Sequence, residues 1–138
     1  MESSKKLSIV ILADNPLFAE MLKKSMKAGL EEDAAIRTMN ASATFFKEVE
    51  GSRLSADVVV LDYELNKISG EELGCKTVIA HIRRISPETA VVVISDEKDM
   101  QEASQALQYG ANEYVSKDKF AFSHITQAVK NCLNPSKS

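Results

Sequence analysis

Leu7-Ser8-Ile9-Val10-Ile11-Leu12-Ala13-Asp14-Asn15-Pro16-Leu17-Phe18 is the stretch that decides how the rest of the chain is read. Residues 7–12 are apolar except for Ser8. Such a run is long enough for a strand and far short of the ~18 apolar residues of a membrane span. A strand apolar on both faces belongs in a parallel sheet covered by helices on both sides. Asn15 can then cap a helix, and Pro16 suits its first turn, where a missing N–H is no loss. The stretch therefore reads as buried strand, polar corner, helix start. Onward from it, Leu17, Phe18, Met21, Leu22 and Met26 recur at helical spacing, with Lys23, Lys24 and Lys27 mostly opposite. This predicts an inward row that includes the Met21/Met26 pair, ended by Gly29.

The same alternation continues to the end. Ala34 to Met39 has mixed polarity and predicts a strand at the sheet's edge. Ala41 to Val49 predicts a short helix with Phe45, Phe46 and Val49 inward. Asp57 to Leu61 contains the unbroken run Val58-Val59-Val60-Leu61, a strand buried on both faces. Ser69 and Glu72 have capping-box spacing and open a helix with Leu73, Ile79, Ile82 and Ile85 inward, closed by Pro87. Ala90 to Ile94 is a further apolar strand. Lys98 to Tyr109 predicts a helix with Met100, Ala103 and Leu107 inward, stopped by Gly110. Its apolar face is thin, so it is expected to be the least firmly packed. Glu113 to Ser116 is a short strand, and Phe120 to Leu133 a last helix with Phe122, Ile125, Val129 and Leu133 inward. Five strands alternating with five helices predict an α/β fold with a parallel sheet covered on both faces.

Composition narrows the function classes. The chain has 138 residues, 17 basic against 20 acidic side chains and a net charge of −3, which fits one domain and excludes a multidomain enzyme. A hydrophobic fraction of 44% is too high for disorder. The acidic balance without a basic block argues against direct nucleic-acid binding. The run behind Lys5 and Lys6 is minimal for a signal peptide, and no small-x-small cleavage pattern follows it. Cys75 and Cys132 cannot make a disulfide framework, so a cytoplasmic setting is expected. His81 and His124 lie on different predicted helices without metal-ligand spacing.

In open parallel sheets, sites form beyond the carboxyl ends of the strands. The first, third, fourth and fifth strands end at Asp14, Asp62, Ser95 and Lys117. If these strands are neighbours, two carboxylates, a hydroxyl and an ammonium converge. Carboxylates are hard oxygen ligands suited to Mg²⁺, and a carboxylate can attack phosphorus to give an aspartyl-phosphate. A lysine and a hydroxyl can then hold phosphoryl oxygens.

With these residues in view, the chain resembles a response-regulator receiver domain of two-component signalling, from about Leu7 to Leu133. Residues 12–18 resemble that family's paired-acid turn. Val58 to Leu61 followed by Asp62 resembles its phosphoacceptor strand, and Gly70, eight residues on, matches the glycine of the following loop. Val93-Ile94-Ser95 resembles the hydroxyl-bearing strand end. Tyr109-Gly110-Ala111 and Tyr114-Val115-Ser116-Lys117 resemble the signature before the last helix. The resemblance implies a flavodoxin-like (βα)5 doubly wound fold with a five-stranded sheet of order 2-1-3-4-5. That order is the known one for such domains. It implies one receiver domain over 1–138, with 134–138 a tail or the start of a linker.

The resemblance also implies roles. Asp62 accepts phosphate from a sensor histidine kinase or phosphotransfer protein. Asp14 and Asp62 bind Mg²⁺ with the backbone carbonyl of Glu64. Lys117 contacts the phosphate, Ser95 moves to hydrogen-bond it, and Tyr114 changes rotamer. The output face would be the last two helices with the strand between them. It would contact a downstream output protein, a fused output domain or a second copy. The protein would be a phosphoacceptor rather than a metabolic enzyme, with no membrane partner.

Two departures stand out. Ala13 occupies the place of the family's first acid, which removes a negative charge beside the metal. Asp118 follows Lys117 where many members have proline. Ala13 leaves room for a second reading, a degenerate receiver that binds partners without phosphorylation. An aspartate-nucleophile phosphatase fits less well, because no cap domain exists and no hydroxyl follows at the usual spacing. Asp14-Asn15-Pro16-Leu17 is no flavin-phosphate loop, and no glycine-rich nucleotide loop is present.

Overall fold

The computed structural model describes residues 7–13, 15–30, 33–39, 56–62, 75–95 and 100–133. Their elements in chain order are β1 (Leu7–Leu12), α1 (Pro16–Gly29), β2 (Ala34–Met39) and β3 (Val58–Asp62), then α2 (Cys75–Ile85), β4 (Ala90–Ser95), α3 (Met100–Tyr109), β5 (Glu113–Ser116) and α4 (Ala121–Leu133). The strands form one five-stranded sheet in the order β2-β1-β3-β4-β5, and every pairing is parallel. This is the expected flavodoxin-like, doubly wound fold. The predicted helix at 41–49 and the capping box at Ser69 and Glu72 lie outside the described residues.

The apolar strands explain the two-sided wrapping. Side chains alternate across a strand with period two, so an unbroken apolar run supplies both faces. Ile9, Ile11, Val58, Val60, Val92 and Ile94 share one buried cluster with residues of α1 and α4, including Leu22, Met26, Ile125 and Val129. Val10, Leu12, Val59, Leu61, Val91 and Val93 share the other with Val78, Ile79 and Ile82 of α2 and Ala106 of α3. At ~25 cal/mol per Å² of apolar surface, these two clusters are the main stabilising term. β2 is an edge strand, and Ala35 and Arg37 alternate outward from buried Ala34 and Ile36.

Several helix-face expectations need correction. Met26 is fully buried, but Met21 is 48% exposed and Leu17 69% exposed. Leu22 is buried as expected and Ala19 takes the further inward position, because α4 packs against the side of α1 marked by Phe18. On α3, Leu107 is exposed and Ala106 is buried. Ile85, half-buried, does pack inward against the cluster with Val78, Ile79 and Ile82. Gly29 is the last residue of α1, yet it does not end the helix by a left-handed conformation, since Gly110 is the positive-φ glycine among the described residues. A Cβ on Gly29 would lie 3.0 Å from Thr126 Cγ2, so its smallness serves the close approach of α1 and α4. Gly110 does terminate α3 as expected, at φ +121°.

Opposite the strand ends, Arg83 ties down the other edge of the sheet. Its Nε and Nη2 donate to the Gly110 carbonyl at 3.0 and 2.8 Å. Nη1 donates to the Pro87 and Thr89 carbonyls at 3.0 and 2.6 Å, and Nη2 also reaches Asn112 Oδ1 at 2.7 Å. One guanidinium thus joins α2, the start of β4 and the turn before β5, using the fixed donor fork that lysine lacks.

Candidate phosphoacceptor site

β3 includes Asp62 as its last residue, one beyond the apolar run Val58 to Leu61 and in keeping with the strand-end reading. β4 likewise includes Ser95. Ladder pairing sets the neighbours. Asp62 pairs with Ile94, and Ser95 with Ser116. The Lys117 amide donates to the Ser95 carbonyl at 2.7 Å, which fixes the lysine backbone just beyond the carboxyl end of β5.

Strand parity then decides which side chains meet. Asp62 has the parity of Val58 and Val60, whose side chains lie in the cluster under α1 and α4. Lys117 has the parity of Val115, in that same cluster. Both therefore lean to one face, and Lys117 Nζ lies 2.8 Å from Asp62 Oδ2. Asp62 is 4% exposed. A carboxylate so buried must be paired or hydrogen-bonded to remain charged, and the ammonium meets that need. Ser95 is fully buried and has the parity of Val91 and Val93, on the opposite face. Tyr114 is half-buried and packs against the cluster under α2 and α3.

Other expected members of the site differ in what can be said of them. Asp14, Glu64 and Gly70 lie outside the described residues. Ala13 is 4% exposed, belongs to the apolar cluster with Ile11 and Ile36, and donates its amide to the Met39 carbonyl at 3.1 Å. It offers no side-chain oxygen. Among the described residues, no group of three or more His, Cys, Asp or Glu side chains is placed to hold a metal. The Asp62 carboxylate supplies one hard oxygen of the kind Mg²⁺ takes.

The sequence reading passed over one contact. Phe18 packs against the core as its spacing predicts, and its ring also stands beneath the Lys117 ammonium, with Nζ 4.6 Å from the ring centroid. The available signal was its position in the first turn after Asn15, next to the carboxyl end of β1. Arg83 was also missed, since one arginine near a helix end looks like an ordinary surface charge.

The comparisons agree with the fold. A family model described as the response regulator receiver domain matches residues 9–130. The chain belongs to that family, the receiving side of two-component signalling, whose members are signalling proteins rather than metabolic enzymes. The chain is 28% identical over 126 residues to the glycerol metabolism activator of Pseudomonas putida. That match covers 91% of this chain and 53% of the relative, so the chain spans about half of that protein's length. Among solved structures it resembles the signal receiver domain of NarL from Mycobacterium tuberculosis. That pair has 26% identity and a TM-score of 0.72, with 94% of this chain and 97% of that one covered. It also resembles a response regulator receiver domain protein from Clostridium thermocellum. Identity there is 23% and the TM-score 0.70, with 95% and 97% coverage. Among the described residues, no helix is long and apolar enough to cross a membrane.

Proposed function

We propose that this chain is a phosphoacceptor switch in which Asp62 takes a phosphoryl group from a phosphohistidine of a sensor kinase or phosphotransfer protein. The observation that carries this reading is the 2.8 Å contact between the buried Asp62 carboxylate and Lys117 Nζ at the carboxyl edge of the sheet. An Asp62 oxygen attacks phosphorus, the bond from phosphorus to the donor imidazole breaks, and the imidazole leaves with its electron pair. Lys117, already beside the acceptor, neutralises charge that develops on the phosphoryl oxygens. Its backbone is anchored on β4, so little reorganisation is needed. Asp62 and Asp14, with the Glu64 carbonyl, would hold Mg²⁺, which when bound shields the incoming phosphoryl oxygens from the site's acids.

Phosphorylation adds new acceptor oxygens, which the buried Ser95 hydroxyl would engage only by moving around the end of β4 from the opposite face. A contact made in only one state can shift a pre-existing equilibrium. β5 carries both Tyr114 and the approach to Lys117, so the face made by α3, β5 and α4 is the proposed output surface. It would meet a downstream protein, a fused output domain or another copy of the chain. Incubation with Mg²⁺ and acetyl phosphate, followed by intact-mass measurement, tests this directly. One added phosphoryl group that is lost in Asp62→Asn is the expected result. A second reading rests on Ala13, whose burial among apolar side chains leaves the site one acid poorer. A receiver that binds its partner without phosphorylation would show no mass gain under conditions that label a control receiver.

A further inference from the structure

We infer that Phe18 is a positioning residue for phosphoryl transfer, its ring face holding the Lys117 ammonium at the Asp62 edge; this rests on the phosphoacceptor reading above. Lys117 Nζ lies 2.8 Å from Asp62 Oδ2 and 4.6 Å from the Phe18 centroid. A cation within ~6 Å of an aromatic centroid is attracted by the ring's quadrupole. The ammonium itself, not merely the alkyl stem, occupies that position. Mere packing of a lysine stem would leave the head group turned to water, yet the Lys117 side chain is only 18% exposed.

The ring is in turn held from three sides. Asn15 Oδ1 accepts the Phe18 amide at 3.1 Å, and Pro16 occupies the first turn, so the backbone that carries the ring is fixed by the capping corner after β1. The Phe122 ring of α4 lies 5.6 Å away, tilted by 40°. Phe18 also packs against the apolar cluster beneath it. A flexible four-carbon side chain is thereby confined between a carboxylate and a rigid aromatic face. Without the ring, the Asp62 carboxylate is the one restraint on the ammonium among the described residues, and Lys117 regains rotamers in which it is misplaced for an arriving phosphoryl group. The ring makes no contact with phosphorus or with Asp62 in this scheme; it acts through Lys117.

Two measurements on the full chain test the assignment. In the NMR spectrum, the Lys117 ε-methylene protons should be shifted upfield by the ring, keep that shift in Phe18→Tyr and lose it in Phe18→Leu. Initial rates of labelling by acetyl phosphate with Mg²⁺ should fall about two- to fivefold in Phe18→Leu, the ~0.5–1 kcal/mol scale of such contacts. Phe18→Tyr should stay close to wild type. In a Lys117→Met background, Phe18→Leu should slow labelling no further. An unchanged rate in Phe18→Leu, or the same slowing in both backgrounds, overturns the positioning role while leaving the phosphoacceptor reading intact. Failure of the wild-type chain to label at all defeats that reading and the role with it.

Discussion

Removing the Lys117 ammonium should hurt this fold far more than removing the Asp62 charge. At 2.8 Å and an effective dielectric of 20, opposite unit charges attract by about 6 kcal/mol before desolvation is subtracted. The two partners differ in what happens when they are left alone. Asp62 is 4% exposed, so Lys117→Met takes the counter-ion from a carboxylate with little access to water. Breaking a buried pair in this way typically costs ~3–5 kcal/mol, and the partial exposure of Lys117 places the expected loss near the lower end, about 3 kcal/mol. Asp62→Asn instead leaves an ammonium that keeps its ring contact and can turn toward solvent, at a cost of about 1 kcal/mol or less. The double variant carries no buried carboxylate lacking its counter-ion and should recover most of what Lys117→Met loses. The chain has no tryptophan, so urea unfolding is best followed by far-ultraviolet circular dichroism. At a slope of about 2 kcal/mol per M, the Lys117→Met midpoint should fall by roughly 1.5 M. Equal losses in the two single variants, or a double variant as unstable as their sum, would refute the argument that burial of the carboxylate sets the asymmetry.

Other consequences follow from the same geometry. Ala13→Asp restores an acid at the metal edge; at ~4 Å and a dielectric of 20 its gross attraction for each positive charge of the ion is about 4 kcal/mol. Desolvation of that carboxylate among Ile11 and Ile36 offsets most of this, and a Mg²⁺ affinity about tenfold above wild type is the expected titration result; equal affinities would contradict it. Gly110→Ala should destabilise the fold by about 2 kcal/mol in thermal unfolding, because φ is +121° and the new Cβ would sit 3.1 Å from Arg83 Nε. Gly29→Ala should cost less, since its obstacle is the Thr126 methyl rather than a backbone angle; the opposite ranking would contradict both assignments. The Cys132 thiol is pushed up from its ordinary 9.0 to about 11, first by burial and then by the Glu113 carboxylate, with Arg83 partly opposing. Only the thiolate reacts, so in a Cys75→Ser background at pH 8 alkylation of the folded chain should run about a hundredfold slower than of the urea-unfolded chain. Equal rates would mean that the thiol is not shielded.

The parallel two-sided sheet and the placing of Asp62, Ser95 and Lys117 at strand ends were legible because unbroken apolar runs, capping signals and strand-end polar residues are local patterns, whereas the strand order came with the family resemblance. Asn15 and Pro16 did open α1, and Gly110 did stop α3. The helix faces were less legible. An apolar residue at helical spacing points inward only if a neighbour covers that side, and the sequence does not say where the neighbour lies. Met21 and Leu107 were misplaced for that reason, while Ala19 and Ala106 carry too little side chain to announce their burial.

By itself, then, the sequence determined that a two-sided parallel sheet forms and which polar groups stand at its carboxyl edge. Tertiary structure alone decided that Asp62 and Lys117 share a face, that Phe18 lies under the ammonium and that Gly29 is small to admit Thr126. Local patterns follow from backbone and solvent preferences acting over a few residues. Contacts between residues 18, 62 and 117 depend on strand register and helix rotation, which are fixed only when the two faces pack.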